Sequence, residues 1–161
     1  MTVALDRKVP AFALSASTAT GDATWRLKDA LEDGGSQALV LFFYPRDMTS
    51  GCTLEAQGFR DLHPKFKRAG VQVVGISRDS LKSHDKFREK EGLPFPLLSD
   101  ADETVCRLFD VIREKSLYGR KYMGVERSTF LLDGQGLLRR EWRKVWVNGH
   151  VEEVLEAAKC V

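Results

Sequence analysis

The chain has 161 residues, 43% hydrophobic and 30% charged, with a formal net charge of +2. That length suits a single domain spanning residues 1–161 and leaves little room for a second core. The charge is too small to argue for nucleic acid or a membrane surface as partner.

Asp6, Arg7, Lys8 and Pro10 interrupt the first residues before a signal-peptide core can form. The longest strongly apolar run, Ala38 to Tyr44, is too short to span a bilayer. A cytoplasmic location is the default expectation. In chain order, Ser15 to Thr24 reads as a turn-rich hairpin, and Asp33-Gly34-Gly35-Ser36 as a turn. Ala38 to Tyr44 is continuously apolar, the pattern of a strand buried on both faces, and Pro45 ends it. A helix is predicted from Thr53, broken or kinked near His63-Pro64. Val71 to Ser77 is a second core strand. Ser80 to Glu91 is a helix stopped by Gly92 and Pro94. Asp100 to Asp110 is predicted as another helix, with Val105, Leu108, Phe109 and Ile112 at helical spacing. Ser128 to Leu132 and Leu137 to Trp142 form a hairpin around Asp133-Gly134-Gln135-Gly136. Arg139-Arg140 and Arg143-Lys144 read as the solvated side of that strand and turn. Asn148 is placed to cap a last helix with Val151, Val154, Leu155 and Ala158 on its apolar face. Strands alternating with helices predict an α/β fold: a central mixed β-sheet with helices on both faces and an N-terminal β-hairpin. A thioredoxin-like layout is the simplest match.

Three widely spaced cysteines, Cys52, Cys106 and Cys160, do not make a disulfide framework. With only His63, His84 and His150 and no Cys-x-x-Cys pair, no metal or cofactor is expected. Cys52 falls where a buried strand gives way to a helix. The amides and dipole of a first helical turn favour a thiolate there. Thr49 can bring a hydroxyl to the sulfur, Gly51 lets the backbone approach a small ligand, and Pro45 can wall the sulfur off from water. Complete ionisation of an ordinary thiol gains about thirtyfold, or about 2 kcal/mol, at neutral pH. An efficient thiolate enzyme therefore also needs donors that meet the charge developing on its substrate. A lone cysteine after a core strand, however, more often packs than reacts.

The run Phe43-Tyr44-Pro45-Arg46-Asp47-Met48-Thr49-Ser50-Gly51-Cys52-Thr53-Leu54-Glu55 resembles the peroxiredoxin signature Pro-x-x-x-Thr-x-x-Cys. It is most similar to the peroxiredoxin Q group, also called bacterioferritin comigratory protein. Phe95 to Asp100, Tyr118-Gly119-Arg120, Glu126 to Leu131, and Trp142 to Val145 ahead of Gly149-His150 extend the likeness over nearly the whole chain. The resemblance implies a thiol-dependent peroxidase with Cys52 as nucleophile, Thr49 bonding sulfur and peroxide, Pro45 shielding the site, and Arg127 polarising thiolate and peroxide. Glu55 is placed to orient an arginine, and Tyr44 to pack. The implied partners are a hydroperoxide and a thiol reductant: thioredoxin, glutaredoxin with glutathione, or another thiol.

The resemblance also implies a second, resolving cysteine five residues after the first or on the next helix. Gln57 and Arg88 occupy those two places. Cys106 borders an apolar face and reads as packing; Cys160 reads as exposed near the terminus. The expectation is one-cysteine recycling by an external thiol in a monomer, with a Cys160-linked dimer as the alternative state. A thioredoxin-fold binding or chaperone protein with a vestigial site is the competing class.

Overall fold

The computed structural model describes residues 2–32 and 36–161, so all but Ser36 of the turn expected at residues 33–36 lies outside the described residues. The N-terminal hairpin is β1 (Ala13–Thr18) and β2 (Gly21–Arg26), followed by the short helix α1 (Leu27–Glu32). Then come β3 (Ala38–Phe43), α2 (Ser50–Arg68), β4 (Val71–Ser77), α3 (Leu81–Glu91) and β5 (Leu97–Ser99). The chain continues through α4 (Thr104–Leu108), β6 (Ile112–Leu117), β7 (Arg120–Val125), β8 (Ser128–Asp133), β9 (Leu138–Trp142) and α5 (His150–Ala158).

Seven strands form one sheet in the order β2-β1-β5-β4-β3-β8-β9. β3 pairs in parallel with β4, and β4 with β5, while β8 runs antiparallel to β3. The sheet is therefore mixed, as expected. Every residue of β3 is buried, and its alternating side chains feed two separate cores. Val40, Phe42 and Tyr44 meet Phe59 and Phe66 of α2, Phe87 of α3 and Val151 of α5 on one face. Leu39, Leu41 and Phe43 meet Leu27 of α1 and Val105, Cys106 and Phe109 around α4 on the other. Helices thus cover both faces, and Cys52 and Cys106 lie on opposite sides of the sheet.

Four sequence expectations need correction. α2 begins at Ser50 and runs unbroken through Pro64. The Pro64 ring is on the exposed side, while Phe59 and Phe66 anchor the buried side across it. The helix expected over Asp100 to Asp110 shrinks to α4. Glu103 adopts φ 62° ahead of it, and buried Asp100 accepts from the amides of Val105 and Cys106 at 3.2 and 2.6 Å. Ile112 belongs to a strand instead. α5 is capped at Gly149, in a left-handed conformation with φ 74°, rather than at Asn148. Arg143 is only partly solvated: it donates to the carbonyls of Phe109 and Asp110 at 2.9 Å and lies over the Phe130 ring.

The sequence reading also missed α1, β5 and the β6–β7 hairpin. That hairpin stands apart from the main sheet. Tyr118 and Gly119 turn it with φ of 50° and 77°. Two successive positive φ values are the demand of a type I′ turn, which glycine meets at little cost.

Candidate active site

The site is assembled where β3 ends. Tyr44 is still tied to the sheet, its N–H donating to the Ile76 carbonyl at 3.1 Å. Pro45 lacks an N–H and cannot prolong the ladder. The chain then turns sharply at Met48, whose φ of 63° is unusual for a side-chain-bearing residue and costs of order 1 kcal/mol. Thr49 is extended, with φ −84° and ψ 157°, and stands as N-cap of α2. Its carbonyl accepts from Thr53 N–H at 2.9 Å, closing the first helical turn. Cys52 is the third residue of that turn, so its backbone N–H belongs to the set without a helical acceptor.

Cys52 is 2% exposed. Arg127, just ahead of β8, donates from Nη2 to Cys52 Sγ at 3.4 Å and from Nη1 to Glu55 Oε1 at 2.7 Å. One guanidinium therefore bridges the sulfur and a carboxylate one helical turn further on. The Arg127 side chain retains 15% exposure and Glu55 none. Burial pushes the Glu55 carboxyl up to about 7, outweighing the opposite pull of Arg127. Its second oxygen has no hydrogen-bond partner among the described residues. For Arg127, burial works against the charge, but Glu55 and Cys52 outweigh it and hold the guanidinium above its ordinary range.

Gly51 matters for a reason the sequence did not show. A β-carbon there would lie 3.1 Å from Arg127 Nη2. The absent side chain makes room for the guanidinium to reach the sulfur. Thr49 also differs from expectation: its hydroxyl donates to the Arg46 carbonyl at 2.9 Å and makes no bond to Cys52. Since that hydrogen bond uses the only hydroxyl proton, its lone pairs remain available as acceptors.

An open cleft of about 580 Å³ lies beside this group, lined by Pro45, Lys115, Arg127 and Val145 among others. The β6–β7 hairpin supplies one wall through Arg113, Glu114 and Lys115. Burial, then the nearby Arg127, pushes the Lys115 ammonium below its ordinary range, while Cys52 pulls it back up. Lys115 was not found from the sequence, because nothing in the polar run Arg113 to Ser116 distinguishes it from a surface lysine.

The structure also shows what replaced the two expected resolving positions. Gln57 Nε2 donates to Glu91 Oε1 at 2.8 Å, joining α2 to the end of α3. Arg88 donates to the carbonyls of Phe95 and Leu93, both at 3.1 Å. Cys106 is fully buried, and burial, reinforced by Asp100, pushes its thiol far above the ordinary range. Cys160 is exposed, as expected.

The sequence profile of the AhpC/TSA family matches residues 5–141, a span that includes Pro45, Thr49, Cys52 and Arg127. The chain belongs to the AhpC/TSA family. Within this family it is similar to peroxiredoxin Bcp of Bacillus subtilis, 45% identical over 159 residues, which cover 99% of this chain and 97% of the other. Peroxiredoxin Bcp of Xanthomonas campestris is 54% identical over 122 residues, 76% of each chain. The solved bacterioferritin comigratory protein of Xanthomonas campestris, studied for alkyl peroxide reduction, superposes with a TM-score of 0.83 at 48% identity. That match covers 92% of this chain and 90% of the other. The peroxiredoxin reading of the sequence and its thioredoxin-like fold are thereby established, and with them an enzyme of the thiol-dependent peroxidase class.

Proposed function

We propose that Cys52 is the peroxide-reducing nucleophile, with Arg127, Thr49 and Pro45 as its partners. The observation that carries this is the Arg127 guanidinium donating to Cys52 Sγ at 3.4 Å in the first turn of α2. A hydroperoxide enters along the cleft past Pro45. Its O–H donates to the open Thr49 hydroxyl oxygen, and Arg127 donates to the peroxide oxygens as charge builds on them. The thiolate attacks one peroxide oxygen, an S–O bond forms and the O–O bond breaks. The departing oxygen takes a proton and leaves as water or an alcohol, while Cys52 becomes a sulfenic acid.

Recycling is read as one-cysteine chemistry. Cys106 is separated from Cys52 by the sheet, and Gln57 and Arg88 carry no thiol. An external thiol condenses with the sulfenic acid, releasing water and leaving a mixed disulfide. A second thiol opens it and restores Cys52. Thioredoxin, or glutaredoxin with glutathione, are reductants of the right chemistry. The chain is read as a cytoplasmic monomer in which Cys160 permits a disulfide-linked dimer. No helix among the described residues is long and apolar enough to cross a membrane.

Intact mass after one equivalent of peroxide, without reductant, tests both halves. The expected species is a sulfenic acid on Cys52 that added thiol converts to a mixed disulfide. A quantitative disulfide from Cys52 to Cys106 or Cys160 overturns the recycling reading. Peroxide turnover surviving in Cys52→Ser overturns the assignment of the nucleophile.

A further inference from the structure

Beneath the loop that leads to Cys52 lies a polar cluster that none of the chemistry above uses. Asp47, five residues before Cys52, is buried together with His84 of α3; their side chains are 1% and 0% exposed. Asp47 Oδ1 accepts from the Tyr44 hydroxyl at 2.7 Å. Asp47 Oδ2 accepts from the Ser83 hydroxyl at 2.8 Å and lies 2.7 Å from His84 Nδ1. The Asp47 N–H donates to Asp79 Oδ2 at 2.9 Å, at the start of the α3 segment.

The protonation of this cluster follows from its partners. His84 Nε2 lies 2.9 Å from the Leu98 carbonyl of β5. A carbonyl only accepts, so Nε2 carries a hydrogen. Nδ1 faces a carboxylate oxygen, so a second proton must lie between those two atoms. The Asp47–His84 pair therefore holds one proton more than an ionised carboxylate beside a neutral ring. Without it, a buried carboxylate would face a nitrogen lone pair at hydrogen-bond distance, which is strongly unfavourable in the interior.

We infer that His84 is a positioning residue for Cys52, holding the active-site loop in its strained turn through the proton shared with Asp47. The inference rests on the reading of Cys52 as nucleophile. His84 does not touch the sulfur; it acts through the loop. Asp47 immediately precedes Met48, the residue with φ 63°, and the loop passes directly from there into Thr49 and the first turn of α2. Four hydrogen bonds link this pair to β3, α3 and β5 or their flanks, besides the contact within it. If Asp47 is released, the left-handed turn loses its anchor, and the helix-start amides and Thr49 shift relative to Sγ. A misplacement of about 1 Å in a reacting geometry costs up to about a hundredfold in rate.

The test compares His84→Leu, His84→Gln and Asp47→Asn with the parent protein. Three quantities are read: melting temperature, the second-order rate of Cys52 sulfenic acid formation with hydrogen peroxide, and Cys52 ionisation from thiolate absorbance. His84→Leu is expected to slow sulfenic acid formation at least about tenfold well below its melting temperature. It is also expected to move the Cys52 ionisation to higher pH. Asp47→Asn, whose amide can donate to a neutral imidazole, should lose clearly less than His84→Leu. If His84→Leu does not fold, His84→Gln replaces it; glutamine can satisfy one of the two partners and should show the same trend. A lowered melting temperature with an unchanged rate and unchanged Cys52 ionisation overturns the proposal. Failure of the nucleophile assignment itself is recognised separately, by turnover in Cys52→Ser.

Discussion

At the residue scale, the proposed site rests on one guanidinium that donates to both Cys52 and Glu55. Arg127→Leu should slow sulfenic acid formation by about a hundredfold to a thousandfold, as loss of a charge-stabilising donor typically does. Stopped-flow kinetics with hydrogen peroxide measures it, and a loss of less than fivefold would reject the role proposed for Arg127. Gly51→Ala makes a subtler prediction. Its β-carbon would lie 3.1 Å from Arg127 Nη2, so the guanidinium must retreat from the sulfur. The rate should fall several-fold while the melting temperature changes little, because the first turn of α2 tolerates alanine well. Cys52, Thr49, Arg127 and Glu55 were legible in the sequence because a short signature and a strand start carry them. Asp47 and His84 were not. They are separated by 37 residues, and a single histidine in an amphipathic helix has no pattern of its own.

At the element scale, the seam between α2 and α3 holds Gln57 and Arg88, the two places where the resemblance implied a resolving cysteine. Gln57 and Arg60 both reach Glu91, through its carboxylate at 2.8 Å and its carbonyl at 2.7 Å. These links fasten the helix that carries Cys52 to its neighbour. Introducing a thiol by Gln57→Cys therefore gives an informative variant. Five residues along an intact helix amount to about 7.5 Å of axial rise, beyond the usual Cα separation of a disulfide. The disulfide should form more slowly than the sulfenic acid, and with loss of helical circular dichroism. Closure as fast as oxidation, with full helicity retained, contradicts a rigid first turn. Elements with strong periodic cores, such as β3, β4, α3 and α5, were read correctly from the sequence. The missing ones were short or polar: β5 has three residues, and β6 is largely exposed. Pro64 misled because its missing N–H matters less on an exposed helix face anchored by Phe59 and Phe66.

At the scale of the whole molecule, two buried groups set opposing responses to pH. Glu55 is raised from its ordinary 4.5 to about 7, so its contribution to stability is full below pH 4.5 and is lost as pH rises through 7. His150, which lies 2.8 Å from the Thr129 hydroxyl, is lowered from 6.5 to about 4, chiefly by burial. Its contribution is full above 6.5 and is lost as pH falls through 4. Each amounts to about 3 kcal/mol. Over the shared window their slopes oppose each other. Glu55→Gln removes one of them, so in chemical denaturation its stability should rise with pH across that window relative to the parent protein; parallel curves contradict the assignment. The two-core sheet makes a further prediction about thiol labelling. Cys160 should react at once in native protein, whereas Cys106 should react only as fast as the chain unfolds, because it is fully buried on the far face.

The β6–β7 hairpin has a consequence of a different kind. It forms one wall of the cleft yet shares no strand pairing with the seven-stranded sheet. Its Ile112 and Val125 are anchored in the core around α4, while its outer part, with the Tyr118-Gly119 turn, is largely exposed. Changes at residues 113–115 can reshape the cleft wall while leaving that anchor in place. On the proposed function, selectivity among hydroperoxides can then be engineered at this wall apart from the helix start that carries Cys52.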